Sequence, residues 1–242
     1  MIIQTKPITT ALDELKQTIY DRHHGKWESV KTQWKNFNQL TFDGLMWGWV
    51  VTIAGESGVG KTTLLDCLKR DILKVPEVYY LDFNLEMTSD NLLLKSLSRD
   101  SKKTVKELYG FGSGGLNYNE FITELDPFSQ QLSTKNLYFV EGTCTPKDIY
   151  DTTISFIHDH KIKEQNKKLV ISVDHAILVE MDNLVSGLKD IINVLNRIKR
   201  YHKYSLSILL TQYNREIGGE ERNTKYKNKA ILHFPTFNDI YG

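Results

Sequence analysis

Short apolar runs alternate with amphipathic segments along most of the chain. The runs have the length and the β-branched or aromatic content of buried strands, and they lie at 49–54, 77–83, 136–140, 169–174 and 206–210. Between them, apolar residues recur every three or four positions, which predicts helices over 63–72, 88–97, from Thr145 past Ile157, and 188–200. This alternation predicts an α/β fold with a mainly parallel sheet and helices on both faces.

Local signals place several boundaries. Pro146 follows Thr145 and suits the first position of a helix, and Thr88 suits an N-cap. The polar, glycine-rich stretch 101–118 is predicted to be a flexible surface connection. The basic stretch 161–168 is predicted to be a solvated helix end and turn.

An amphipathic helix is also predicted near the amino terminus. The pattern from Thr10 to Asp13 is that of a capping box and opens a helix to about Arg22, with Leu12 and Ile19 on one face. This helix packs on its own domain or acts as a linker helix that docks on a neighbouring subunit, and periodicity does not choose between them. We divide the chain into this linker-like region, 1–33, and a larger α/β domain, 34–242.

Composition sets broad bounds on the class of protein. The 242 residues carry a formal net charge of +1, so only a local basic patch could attract nucleic acid. Two cysteines, Cys67 and Cys144, indicate neither a disulfide framework nor a zinc site. The longest apolar stretch, 45–54, is too short to span a bilayer, and no signal peptide is evident. We therefore expect no membrane association and a cytoplasmic location.

The strongest motif is a phosphate-binding loop between the first predicted strand and its helix. It has the pattern GxxxxGK[ST], and its residues are Gly55, Glu56, Ser57, Gly58, Val59, Gly60, Lys61, Thr62 and Thr63. Glycines let the backbone N–H groups wrap an anion, and the helix N-terminus adds partial positive charge. Lys61 would contact the β- and γ-phosphates, and the Thr62 hydroxyl would bind Mg²⁺. The motif predicts binding of ATP with Mg²⁺.

Three further groups lie at the ends of predicted strands, where a parallel sheet gathers functional groups. Asp174 suits association with Mg²⁺, Glu86 suits activation of water, and Gln212 suits sensing of the γ-phosphate. Asp82 is an alternative water-activating carboxylate, although its position inside a strand makes it less attractive. Each of these residues alone is weak evidence, because strand-end polar residues often cap helices or turns.

With these motifs in this order, the chain resembles the RecA-fold motor domain of DnaB-type replicative DNA helicases. The resemblance covers about 34–242 and rests on the stretches 55–63, 84–87, 173–175 and 210–215. It implies that Glu86 is the catalytic glutamate, that Asp174 serves Mg²⁺ and that Gln212 couples the nucleotide state to DNA contact. His175 replaces the commoner tyrosine of the family, and Asn84 replaces a serine.

The resemblance also implies single-stranded DNA as a partner and a homo-oligomeric ring, a hexamer in the family. A flexible basic loop after Gln212 would contact DNA phosphates, with the residues Arg215, Arg222, Lys225 and Lys227. A solvated loop is an equally good reading for any single one of them.

The family pattern is incomplete at both ends of this sequence. The family's collar domain is absent, and the segment 235–242 is followed in the family by further strands and an arginine finger. We expect an incomplete motor domain that hydrolyses ATP poorly alone. Its partner is either further copies of the same chain in a ring or a second polypeptide that completes the motor domain. Two alternatives stay open. One is a non-motor ATP-binding protein that joins or regulates a helicase ring. The other is a recombinase-like ATPase, which is disfavoured because Glu86-Met87 and the stretch at 212–215 fit the helicase better.

Overall fold

The computed structural model describes residues 5–26, 28–41, 43–181 and 184–212. They form two units, Met1–Met46 and Trp47–Gly242. The first contains helix α1 (Ile8–His23), strand β1 (Ser29–Val30), helix α2 (Lys35–Leu40) and strand β2 (Leu45–Met46). β1 and β2 pair antiparallel. Neither this small sheet nor α2 was predicted from the sequence.

Helix α1 begins earlier than the sequence pattern predicted. Pro7 is its N-cap residue, and the Pro7 carbonyl accepts the Ala11 N–H at 3.1 Å. Thr10 therefore already lies inside the first turn, and the predicted capping box was wrong because proline at this position starts the helix instead. The apolar side chains of α1 are exposed by 47% to 72%: Ile8, Leu12, Leu15 and Ile19.

In its described residues, the second unit has five parallel strands in the order β3-β7-β6-β4-β5. These are β3 (Val50–Gly55), β4 (Val78–Asn84), β5 (Asn136–Glu141), β6 (Lys168–Asp174) and β7 (Ser205–Gln212). The α-helices are α3 (Lys61–Ile72), α4 (Ser89–Ser101), α5 (Val105–Leu108), α6 (Tyr118–Ser133), α7 (Pro146–Asp159) and α8 (Leu184–Tyr201). The predicted α/β class with a parallel sheet is confirmed.

Strand residues alternate between the two faces of this sheet, so each face has its own core. On one face, Leu169, Ile171 and Val173 of β6 pack against α7 and α8. Ser172 lies between Ile171 and Val173 in sequence and donates a hydrogen bond to Asp82 of β4. Asp82 in turn forms an ion pair with Lys69 of α3. Helix α3 therefore covers the opposite face, and the predicted placement of helices on both faces is confirmed.

Two helices, α5 and α6, lie between α4 and β5, where the sequence predicted none. α5 lies within 101–118, so the prediction of a continuous flexible connection was wrong. Thr104 and Glu107 form a capping box that starts α5, and Asn117 and Glu120 form another that starts α6. Both boxes could have been found from the sequence.

Helix α4 shows how a predicted cap can differ in mechanism. Thr88 is the N-cap residue, as predicted, but its side chain makes no capping hydrogen bond to the backbone. Instead the Glu141 carboxylate, at the end of β5, accepts the Ser89 N–H at 2.5 Å. Hydrogen bonds with the side chain and the backbone of Ser89 lower the pKa of Glu141. α7 begins at Pro146 behind Thr145, as predicted. No helix in the described part of the chain has the length and apolar character needed to cross a membrane.

Candidate nucleotide site

The loop between β3 and α3 has the backbone shape that its glycines predict. Gly58 and Gly60 have φ of +79° and +93°, a region that side chains with a Cβ rarely adopt. Gly60 is also the N-cap residue of α3 and, as a glycine, has no side chain with which to cap the first turn of that helix. Its N–H groups and the helix dipole therefore face the loop, which suits a phosphate group.

The Lys61 ammonium is already positioned at this loop. The side chain is buried, and its Nζ donates to the carbonyl oxygens of Gly55 at 3.1 Å and Glu56 at 2.8 Å. These contacts hold a positive charge beside the N-terminus of α3, where a bound triphosphate would place its β- and γ-phosphates. Thr62 follows in the first turn of the same helix.

Asp174 is a buried carboxylate with one oxygen left open. Only 3% of the residue is exposed, and Oδ1 has no hydrogen-bond partner among the described residues. Burial raises the pKa of Asp174, and the charges of Glu86 and Asp82 raise it further, whereas a hydrogen bond with Thr62 and the charge of Lys69 lower it. An oxygen that is desolvated and unpaired in this way is stabilised by a cation.

The residues present fit a Mg²⁺ ion bound together with nucleotide. Mg²⁺ prefers hard oxygen ligands and commonly takes one carboxylate, a hydroxyl, waters and the phosphates of the substrate. Thr62 and Asp174, which are hydrogen-bonded to each other, would supply the hydroxyl and the carboxylate. The described residues contain no group of three or more His, Cys, Asp or Glu side chains that could hold a metal ion by themselves. The site thus fits a metal that arrives with phosphate ligands.

Glu86 lies beside this carboxylate, at the end of β4. Asn84 is paired with Asp174 in the sheet register, and the Leu85 N–H donates to the Asp174 carbonyl oxygen at 2.8 Å. This bond ties the chain just before Glu86 to the end of β6. The Glu86 side chain is exposed, so it can contact both solvent and a molecule at the loop.

Asp82, the alternative carboxylate, has a different environment. It is completely buried, forms an ion pair with Lys69, and accepts hydrogen bonds from Asn84 Nδ2 at 3.0 Å and from Ser172 Oγ. Its oxygens are occupied and have no access to water. The geometry therefore favours Glu86 over Asp82 as the group that contacts an attacking water.

Gln212 ends β7, and the sheet register sets it opposite Gly55, the first residue of the loop. It is half-buried. The structure thus brings the loop, Glu86, Asp174 and Gln212 to one edge of the sheet, at the carboxyl ends of the strands. The proposed DNA-contacting residues lie outside the described part of the chain: Arg215, Arg222, Lys225 and Lys227.

His175 is a member of this site to which the sequence assigned no role. Its imidazole is buried, with Nδ1 accepting the Ile177 N–H at 3.3 Å and Nε2 lacking any partner among the described residues. Burial lowers the pKa of His175, and the nearby charge of Lys61 lowers it further, while Glu86 opposes this. The sequence signal was only its position directly after Asp174.

A phosphate loop and strand-end carboxylates on one edge of a parallel sheet define a P-loop nucleotide-binding protein. Solved structures show which fold within that class. The chain superposes on a solved ATPase domain with a TM-score of 0.69 and 18% identity, over 94% of this chain and 76% of that one. It superposes on a DnaB-like replicative helicase, from a structure that also concerns its interactions with primase, with a TM-score of 0.65 and 18% identity, over 97% of this chain and 56% of that one. The fold is that of a RecA-like ATPase domain.

Residues 29–229 match the family described as DnaB-like helicase C terminal domain. The chain belongs to this family. A curated relative, the replicative DNA helicase DnaB of Buchnera aphidicola subsp. Baizongia pistaciae (strain Bp), is 25% identical over 202 residues, which cover 81% of this chain. The match spans 41% of the length of that relative.

Proposed function

We propose that this chain is an ATP-hydrolysing motor domain of DnaB type that moves on single-stranded DNA during DNA replication. One observation supports this above the others: the open oxygen of Asp174 and the exposed carboxylate of Glu86 lie together beside the phosphate loop. Family membership supports the same reading.

The chain's own residues divide the work of hydrolysis. The loop N–H groups and the Lys61 ammonium bind the phosphates and neutralise charge on them. Thr62 and Asp174 hold Mg²⁺, which when bound supplies further positive charge to the β- and γ-phosphates. Glu86 orients the attacking water and accepts its proton. Buried Asp82 takes no direct part.

Gln212 connects hydrolysis to DNA in this proposal. It lies opposite Gly55 in the register of β3 and β7, so the end of β7 adjoins the first residue of the phosphate loop. The chain continues from Gln212 into the segment with Arg215 and Arg222. A change in the contact between Gln212 and the γ-phosphate would move the start of that segment, and its cations would bind or release DNA phosphates.

We also propose that copies of the chain form a ring through α1. An apolar groove of about 540 Å³ lies between α4 and α6 of the second unit, and its apolar lining includes Leu93, Leu97, Phe121, Leu125, Phe128 and Phe139. The exposed residues Ile8, Leu12 and Ile19 form an apolar stripe of the kind that binds such grooves. In the proposed ring, α1 of one copy fills the groove of the next, as in the linker-helix alternative; the exposed stripe and the apolar groove are what favour it.

Binding and hydrolysis of ATP can be separated by two variants. Lys61→Ala is expected to weaken Mg-ATP binding strongly in titration calorimetry, because it removes the charge beside the phosphates. Glu86→Gln is expected to keep that affinity and to lose about 10²- to 10⁴-fold in turnover, since only water activation is removed. Glu164→Gln is the matched control, because this exposed carboxylate lies before β6 at the amino end of the sheet.

Turnover is measured in a steady-state ATPase assay, with and without single-stranded DNA. Equal turnover for Glu86→Gln and the parent would contradict the assignment of Glu86. ATP binding by the parent without any hydrolysis, even with DNA present, would instead favour the non-motor ATP-binding protein.

A further inference from the structure

The hydrogen bonds around His175 determine where its ring proton lies. Nδ1 accepts the backbone N–H of Ile177 at 3.3 Å, so Nδ1 uses its lone pair and carries no proton. A neutral imidazole then has its proton on Nε2. That N–H group has no acceptor among the described residues, although only 4% of His175 is exposed.

A buried N–H group without an acceptor is unfavourable and rare in folded proteins. Such a group at a binding site is explained by an acceptor that arrives with the ligand. Asp174, the preceding residue, has an open buried oxygen that a cation would satisfy. The two neighbouring residues thus present one unpaired acceptor and one unpaired donor.

Electrostatics show what surrounds the donor. His175 lies within interaction range of the Lys61 ammonium and of the Glu86 carboxylate. Lys61 marks the position of the β- and γ-phosphates, and Glu86 marks the position of the attacking water. In ATP bound as proposed above, the acceptor between these two positions would be an oxygen of the terminal phosphate.

We propose that the Nε2–H of His175 donates a hydrogen bond to the γ-phosphate of bound ATP, so that this residue distinguishes ATP from ADP. The inference rests on the proposed function, because it requires a nucleoside triphosphate at the loop. A neutral donor suits this position, since it recognises the phosphate without adding a second fixed charge beside Lys61. His175 would contribute nothing to the affinity for ADP, which has no γ-phosphate.

The binding test compares His175→Phe with His175→Gln. Phenylalanine keeps a planar ring of similar size without a donor, whereas the glutamine amide restores an N–H near Nε2. Affinities for ATPγS and ADP, both with Mg²⁺, are measured by titration calorimetry. His175→Phe is expected to bind ATPγS on the order of 10- to 100-fold more weakly and ADP as the parent does, as befits one lost hydrogen bond to a charged group. His175→Gln is expected to recover most of the loss.

A second measurement uses the parent protein and does not depend on how the variants fold. In ¹⁵N-labelled protein without nucleotide, the His175 ring is expected to show an unprotonated Nδ1 and a protonated Nε2. Its resonances are assigned by their absence in His175→Gln. Addition of ATPγS with Mg²⁺ should shift the Nε2 proton downfield, and addition of ADP should not.

Several results would overturn the inference. They are a proton on Nδ1, parent-like ATPγS affinity in His175→Phe, and equal weakening of ATPγS and ADP binding. A fall in turnover with an unchanged ratio of the two affinities would instead show that His175 orients Glu86, and would also overturn it. A parent that binds no ATPγS, or a Lys61→Ala variant that binds it normally, would refute the proposed function itself and is distinguishable from all of these.

Discussion

The ion pair between Lys69 and Asp82 lies under the candidate site, between α3 and the sheet. Asp82 is fully buried, and the Lys69 side chain is 10% exposed. Lys69→Met removes the cation and leaves the Asp82 carboxylate in the core, with Ser172 and Asn84 as its hydrogen-bond donors. Breaking a buried pair in this way costs about 3–5 kcal/mol, because the remaining charge is uncompensated.

A second substitution should reverse most of that loss. In Lys69→Met/Asp82→Asn neither position of the pair carries a charge, and the amide oxygen can still accept a hydrogen bond from Ser172. We expect the double variant to be more stable than Lys69→Met alone by about 2–3 kcal/mol. For a domain of this size, 1 kcal/mol corresponds to about 2–4 °C in Tm, so Lys69→Met should melt roughly 6–20 °C below the parent.

Urea unfolding followed by tryptophan fluorescence measures these free energies, and thermal melts by circular dichroism check them. Lys147→Met is the control, because Lys147 forms an exposed pair with Asp151 that solvent screens, so its loss should change stability little. The reasoning is refuted if Asp82→Asn destabilises the Lys69→Met background further, or if Lys69→Met costs no more than Lys147→Met.

Two further predictions concern the proposed ring and its DNA. Leu12→Glu in α1 places a charge on the apolar stripe and should dissociate the assembly, as measured by sedimentation velocity. Lys16→Glu changes an exposed polar position of the same helix and should not dissociate it. Equal assembly of the two variants would exclude α1 as the contact. Replacing Lys225 and Lys227 with alanine should weaken single-stranded DNA binding and make its salt dependence shallower in fluorescence anisotropy, because fewer counterions are released; an unchanged slope would exclude these two lysines as phosphate contacts.

Local patterns were sufficient to predict the parts of the fold that depend on neighbouring residues. The strand β6 and the helix α8 were predicted because a continuous apolar run and a regular apolar face leave few alternatives. The phosphate loop was also predicted, because all the residues of its motif lie within one short stretch of the sequence. α6 was missed, although Asn117 and Glu120 form its capping box, and Pro127 inside the helix is a residue that normally argues against one.

The candidate site depends on contacts between distant residues, and there the sequence was less informative. Asp82 and Asp174 are both carboxylates in or at the end of an apolar strand. Only the structure shows that Asp82 forms an ion pair with Lys69, whereas Asp174 Oδ1 has no hydrogen-bond partner among the described residues. The unpaired Nε2 of His175 was equally invisible, because it follows from the fold around Ile177 and not from spacing along the chain.

The strand order also has a consequence for how this protein is made. β3, which leads into the phosphate loop, pairs only with β7 in the described sheet, and paired residues such as Val50 and Ser207 lie more than 150 residues apart in the sequence. At about 5–20 residues per second, a ribosome needs on the order of 10 seconds to deliver β7 after β3 has emerged. During that interval the apolar strand β3 lacks its pairing partner, so it can misfold or bind chaperones. Nucleotide requires a phosphate loop held in place by the pairing of β3 with β7. It would therefore bind late and stabilise the folded domain.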